Sequence, residues 1–189
     1  RPLVPPERTW VVCGAAQAEG ILEACPDLAE AQLIVEPCRR NTAACAGLAA
    51  LVIAGEDPEA ILAVLPADHA ISPPEAFQDA LEAAAHAARM PETLVTFGIP
   101  PTRPATGYGY IRRGAECGEF GGARAWKVDR FSEKPDAPTA RTFLEEGSYL
   151  WNAGIFVWGA ETLLMEIHRH LPGLAAGLES LKPSLAKGD

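Results

Sequence analysis

Apolar and polar positions follow two rhythms along this chain, one of period two and one of helical period. Thr9 to Cys13 (TWVVC) is a short β-rich run closed by Gly14, which predicts a strand. Ala15 to Cys25 reads as a helix stopped by Pro26. Gln32 to Val35 predicts a second strand, ending in Glu36-Pro37. Asn41 suits the N-cap of an Ala-rich helix from Thr42 to about Ala54, with Gly55 at its end. Ile61 to Leu65 (ILAVL) is continuously apolar, as expected of a strand covered on both faces. Glu75 to Arg89 puts Phe77, Leu81, Ala84 and Ala88 on one helical face. Leu94 to Ile99 predicts the next strand.

This alternation argues for an α/β fold with a parallel sheet and helices on both faces. The second half changes character. Tyr108 to Ile111, Ala125 to Ser132 and Ile155 to Trp158 read as strands joined by longer connections rich in Gly and Pro. Helices are expected from about Thr139 to Glu146, with Gly147 beyond the end, and from Ala160 to His170. A weaker helix follows from Leu174. The expectation is a single α/β domain over residues 1–189, with a mixed second half and no internal repeat.

Composition narrows the function classes. With 48% hydrophobic and 22% charged residues, the chain has the profile of a folded globular protein. A net charge of -9 repels polyphosphate backbones, so nucleic acid is not an expected partner. No apolar run approaches the ~20 residues that cross a bilayer, and Arg1 to Glu7 lacks an apolar signal-peptide core. The five cysteines, Cys13, Cys25, Cys38, Cys45 and Cys117, are odd in number and match no zinc spacing. They read as reduced thiols of a cytoplasmic protein.

Open α/β sheets bind ligands at the carboxyl ends of their strands, so the residues there carry the candidate chemistry. Glu36-Pro37-Cys38-Arg39-Arg40-Asn41-Thr42 sets two guanidinium groups beside a helix N-terminus, which attracts phosphate or a base. Taken alone, a plain helix cap with two solvated arginines is the simpler account. Asp68 follows a buried strand in Leu65-Pro66-Ala67-Asp68-His69. It suits a Mg²⁺ ligand, or a loop cap. Thr106-Gly107-Tyr108-Gly109-Tyr110 alternates glycines with aromatics, as a sugar site would, or as a turn into a strand. Glu133-Lys134-Pro135 follows a strand. Adjacent strand residues point to opposite faces, so Glu133 and Lys134 can grip one ligand only where the strand ends. An exposed ion pair is the simpler account. Trp151-Asn152-Ala153-Gly154 adds an amide that both donates and accepts.

Taken together, EPxxRNTA, LPADH, FGIxPTxPxTGYGYI, FxEKPDxxTA and WNxGxF, in that order, closely resemble the mannose-1-phosphate guanylyltransferases from about Leu33 to Leu171. The resemblance implies a Rossmann-like mixed, mainly parallel sheet flanked by helices. It implies GTP and mannose 1-phosphate as substrates and GDP-mannose as product. It implies Mg²⁺ on Asp68 and the sugar phosphate on Lys134. Glu133, Asn152 and the turn of Gly107, Tyr108 and Gly109 would then line the sugar. Glu36, Pro37, Arg40, Asn41 and Thr42 would line the nucleotide. A homo-oligomer is compatible with it.

Departures from the family pattern set further expectations. Arg39 stands where glycine is usual and Ala44 where proline is usual. The family's GGxGTRLWPLSR loop, PKQ motif and SIDYAVME-like aspartate motif do not occur. The chain therefore reads as an enzyme core lacking both ends, with exposed apolar surface and no useful turnover from these 189 residues alone. The alternatives are a nucleotidylyltransferase for another sugar, such as glucose 1-phosphate, and a catalytically silent nucleotide-sugar-binding paralogue.

Overall fold

The computed structural model describes residues 3–36 and 41–185. In chain order the elements are β1 (Val11–Gly14), α1 (Ala18–Ala24), β2 (Leu33–Glu36), α2 (Asn41–Glu56), β3 (Ile61–Val64) and α3 (Pro74–Ala88). Then come β4 (Leu94–Ile99), β5 (Tyr110–Phe120), β6 (Ala123–Ser132), α4 (Ala137–Glu146), β7 (Tyr149–Gly159), α5 (Ala160–His170) and α6 (Pro172–Leu185). The chain divides into two compact units, one of residues 1–60 and 160–189, the other of residues 61–159.

In the first unit β1 and β2 pair in parallel, with Val11 opposite Leu33 and Gly14 opposite Glu36. The Gln32 side chain is buried and holds this region together. It donates to the carbonyls of Pro6 and Thr9, and its oxygen accepts from the Ala29 N–H. Helix α2 buries Ala46, Gly47, Ala49, Ala50 and Leu51. Its alanines and glycine let α5 and α6 approach closely. A Cβ on Gly47 would stand 2.8 Å from Ile167 Cδ1 and 3.0 Å from Leu178 Cδ1. The expected stop at Gly55 does not occur there. The helix continues through Glu56, and the Asp57 N–H bonds to the Ile53 carbonyl to close the last turn.

The second unit is built on β7. All of its ladders are antiparallel: β3 with β7, β4 with β7, β5 with β7 and β5 with β6. The α/β class holds, but the mainly parallel expectation is corrected. Only β1 and β2 pair in parallel among the described residues. The reason is an insertion. Both β3 and β4 run opposite to β7, so they share a direction, yet β7 pairs with each of them. The alternation of strands and helices gives β3 and β4 a common direction but not the strand that lies between them.

Strands β5 and β6 are longer than the sequence pattern predicts. They form a hairpin closed by Gly121 (φ 54) and Gly122 (φ 85), a pair of left-handed residues that suits a two-residue turn. Helix α3 buries Leu81, Ala83, Ala84, Ala87 and Ala88, close to the face predicted. Helix α4 starts on Asp136, whose carboxylate accepts from the Thr139 N–H at 3.0 Å, and ends at Gly147 with φ 66. A small aromatic core packs Tyr110, Phe143 and Tyr149 with Ala140. The Phe143 and Tyr149 rings stack at 3.8 Å.

Among the described residues, no helix is long and apolar enough to cross a membrane. Cys13, Cys25, Cys45 and Cys117 are free thiols, and Cys38 lies outside the described residues.

Candidate functional site

The site is set by how three strands divide one partner. Strand β4 pairs with β7 from Leu94 opposite Trp158 to Ile99 opposite Trp151. A strand has only two edges. Strands β3 and β5 therefore share the other edge, end to end. Strand β3 stops at Val64 opposite Phe156, and β5 starts at Tyr110 opposite Trp151. Between them, residues 153–155 of β7 have no ladder partner among the described residues. The loop after β3, the loop before β5 and the end of β6 all reach this gap, because Ser132 at the end of β6 lies opposite Tyr110.

Three of the residues singled out from sequence meet there. The Asn152 N–H donates to the Gly109 carbonyl at 2.8 Å. A Cβ on Gly109 would stand 2.8 Å from Glu133 Oε2, 3.5 Å from Asn152 Cβ and 3.9 Å from Asn152 Nδ2. A side chain at 109 would thus have to displace the Glu133 carboxylate. At Gly107 an added Cβ would meet nothing within 4 Å, so the protein itself makes no such demand.

Lys134 joins this group through its backbone. On an extended strand Glu133 and Lys134 would point apart. Strand β6 ends at Ser132, and Lys134 adopts φ 41. The two heads are brought to one side, with Lys134 Nζ 3.6 Å from Glu133 Oε1. Both side chains are exposed, so the pair adds little stability. Left-handed backbone at a lysine directly before Pro135 is doubly disfavoured, by the Cβ and by the proline ring. Strain of that kind is held by its surroundings and gathers at working sites.

Asp68 sits in the loop after β3 and is exposed, as is His69. The loop is brought to the gap at Pro66, whose Cγ lies 3.6 Å from where a Cβ on Gly154 would be. Gly154 itself has φ 68 and bends β7 at this point. Among the described residues there is no group of three or more His, Cys, Asp or Glu able to enclose a metal. Asp68 offers one open carboxylate.

Sequence reading passed over two contributors. Arg103 lies over the Tyr108 ring at 5.6 Å and the Trp151 ring at 5.3 Å, and its Nη2 donates to the Tyr108 hydroxyl at 3.3 Å. The Tyr110 hydroxyl ties the same loop by donating to the Ala105 carbonyl at 2.9 Å. The only signal in the sequence was an arginine five residues before a tyrosine. The second is Thr96, on β4, whose hydroxyl reaches Asn152 Oδ1 at 3.2 Å. A threonine in a strand reads as a β-former and nothing more.

The remaining predicted residues belong to the first unit. Glu36 ends β2. Asn41 is the first residue of α2 and has φ 56, and Thr42 is exposed in the first turn. Pro37, Arg39 and Arg40 lie outside the described residues. On α2 the Cys45 thiol is pushed above its ordinary 9.0, first by burial and then by the Glu36 carboxylate. An apolar concavity of about 260 Å³ in this unit, lined by Val4, Pro6, Val11, Cys25 and Leu28, contains none of the predicted site residues.

The sequence pattern of the family described as Nucleotidyl transferase matches residues 5–182. The chain belongs to the nucleotidyl transferase family. Among curated members, it is 43% identical over 144 residues to the alginate biosynthesis protein AlgA of Pseudomonas aeruginosa, covering 76% of this chain and 29% of that protein. It is 43% identical over 149 residues to the mannose-1-phosphate guanylyltransferase ManC of Salmonella typhimurium, covering 78% of this chain and 31% of that protein. The chain therefore spans under a third of the length of these relatives. A crystal structure described as a mannose-1-phosphate geranyltransferase from Thermus thermophilus superposes with a TM-score of 0.82 at 34% identity, over 95% of this chain and 50% of that one. The nucleotidyl transferase fold is shared with that structure.

Proposed function

We propose that the chain belongs to a mannose-1-phosphate guanylyltransferase, which transfers a guanylyl group from GTP to mannose 1-phosphate. The observation that carries this reading is the convergence of the Glu133 carboxylate and the Asn152 amide beside Gly109, with the Lys134 ammonium paired to that carboxylate. A sugar phosphate presents hydroxyls and a dianion within one small molecule, and this set matches both. The name of the Salmonella relative supports the choice of mannose and guanosine.

In the reaction an oxygen of the sugar phosphate attacks the α-phosphorus of GTP. The new P–O bond forms as the bond to the β-phosphate oxygen breaks, and diphosphate leaves with its electron pair. Little covalent work falls to the protein. Alignment and charge neutralisation are what it supplies. Lys134 meets the sugar phosphate as a point charge and lowers the repulsion between nucleophile and triphosphate. Glu133 accepts from a sugar hydroxyl and Asn152 donates to one. Tyr108, held by Arg103, gives a flat wall for the ring.

Mg²⁺ fits Asp68 in one way. That ion accepts one or two carboxylates and completes its shell with phosphate and water, so a single open carboxylate at a strand end suffices. When bound there it would screen the phosphates and stabilise the leaving diphosphate. Glu36, Pro37, Arg40, Asn41 and Thr42 would line the base and ribose. A lone helix start with a polar side chain suits hydrogen bonding to either.

Diphosphate release from GTP and mannose 1-phosphate tests the reading, with ATP, UTP and glucose 1-phosphate as rivals. Lys134→Ala and Asp68→Asn should each lower kcat/KM by about 10²- to 10³-fold, the usual loss when a charge-stabilising group is removed. Wild-type rates in both variants, or binding of GDP-mannose with no turnover by the complete protein, would overturn it.

A further inference from the structure

Asn152 offers a ligand one of two opposite chemistries. Its oxygen only accepts and its nitrogen only donates. The structure settles which end is free. The Gly154 N–H donates to Asn152 Oδ1 at 3.1 Å. A backbone N–H cannot accept, so a flipped amide would set donor against donor. The Thr96 hydroxyl donates to the same oxygen at 3.2 Å, with the Ile155 carbonyl a competing acceptor at 3.3 Å. Two donors therefore converge on Oδ1, both from partly buried positions. Nδ2 is left on the side of Gly109 and Glu133.

We infer that Thr96 is a positioning residue. Together with the Gly154 N–H, it fixes the polarity of Asn152, so that Asn152 meets substrate only as a hydrogen-bond donor. The inference rests on the sugar-phosphate reading above and gives it a finer form. Glu133 Oε2 and Asn152 Nδ2 both lie within 4 Å of the Gly109 Cβ position. A hydroxyl between them would donate to the carboxylate and accept from the amide. The site then selects a group that does both: an ether leaves the carboxylate unpaired, and a missing hydroxyl leaves both partners unpaired.

The geometry also explains the bulge. Strand β4 slips register against β7 between Thr96 and Gly98. The slip lies beside the unpaired residues 153–155, and it puts the Thr96 hydroxyl within reach of both the Asn152 side chain and the Ile155 carbonyl. A regular ladder would have given 96 a neighbour two residues away on the same face.

The test is calorimetric binding of mannose 1-phosphate to the complete protein, with melting temperature followed in parallel. Thr96→Val keeps shape and removes the hydroxyl. It should weaken sugar-phosphate binding about tenfold, the upper range for one hydrogen bond, and leave GTP binding unchanged. Thr96→Ser should restore wild-type affinity. On an Asn152→Ala background, Thr96→Val should have no further effect. Unchanged binding in Asn152→Ala would sink the sugar-site reading itself. Weakened binding in Asn152→Ala with wild-type binding in Thr96→Val would overturn only the role of Thr96. So would a Thr96→Val loss that adds in full to that of Asn152→Ala.

Discussion

Gly109 leaves no room for a methyl group beside the Glu133 carboxylate. A Cβ there would approach Oε2 to 2.8 Å. The obstacle is the tip of a flexible side chain, so the fold can yield where the site cannot. Gly109→Ala should change the melting temperature little. It should raise the KM for sugar phosphate about tenfold by displacing the carboxylate, as loss of one charge-assisted hydrogen bond does. Steady-state kinetics beside a thermal melt checks both halves. A large drop in stability with unchanged KM would contradict the account.

Lys134 offers the reverse trade. Its left-handed backbone before Pro135 costs about 1–2 kcal/mol that a glycine would avoid. Lys134→Gly should therefore stabilise the fold by roughly 1 kcal/mol while abolishing the charge that meets phosphate. Lys134→Ala, which keeps the strain, should not stabilise. Denaturant melts of the two variants separate backbone from side chain.

Gly98, opposite Asn152 on β7, gives a packing prediction. A Cβ there would collide with Leu150 Cδ1 and stand 2.9 Å from Leu150 Cβ. The second contact is fixed to the backbone of β7, so the neighbour cannot swing aside. Gly98→Ala should cost about 1–3 kcal/mol by overpacking, and Leu150→Ala should rescue it only in part. Equal stability of wild type and Gly98→Ala in urea would refute this.

Asp136 gives an acid-side prediction. Its hydrogen bonds from Thr139 hold its carboxyl below the ordinary 3.8. The folded state thus favours the ionised form. The contribution is present above the unfolded value and is lost as pH falls through the lower folded value. Asp136→Asn keeps a cap but removes the titration, so its stability should fall less steeply below about pH 4. Melting temperature against pH measures the slope.

Cys45 gives the alkaline counterpart. Burial, then Glu36, raises its thiol above 9.0. The folded state favours the neutral thiol, so its contribution is intact below 9.0 and declines as pH rises through the folded value. At about pH 8 a disulfide reagent should react more slowly with Cys45 than with the exposed Cys25 and Cys117. Glu36→Gln should narrow the difference.

Much of the fold was legible where one local rule dominates. Strand β4 and helix α5 fall at Leu94–Ile99 and Ala160–His170, the bounds expected from pattern alone. Both are framed by sharp changes in periodicity. Strand β5 was not legible beyond Ile111, because Arg112 to Phe120 carries charges and glycines that no strand rule selects. Pairing with β6 makes it a strand. The first half of β7 was hidden in the same way, since Asn152 and Gly154 read as loop. The Gly154 bend is what lets a strand carry a site. Of the site, residue identities were legible through motif order. The left-handed turn at Lys134, the hydroxyl of Thr96 and the anchoring by Arg103 were not, because each depends on residues brought together by folding.

One strand, β7, carries the ladders of β3, β4 and β5. Its residues come about 90 positions after those of β3, so during synthesis the early strands must wait, edges bare, for their common partner. The β5–β6 hairpin closes locally and is free to form at once. A nascent chain halted before Tyr149 would hold that hairpin and little else of the sheet. The ribosome-bound intermediate is therefore where aggregation of this protein should begin, and where a chaperone would do most good.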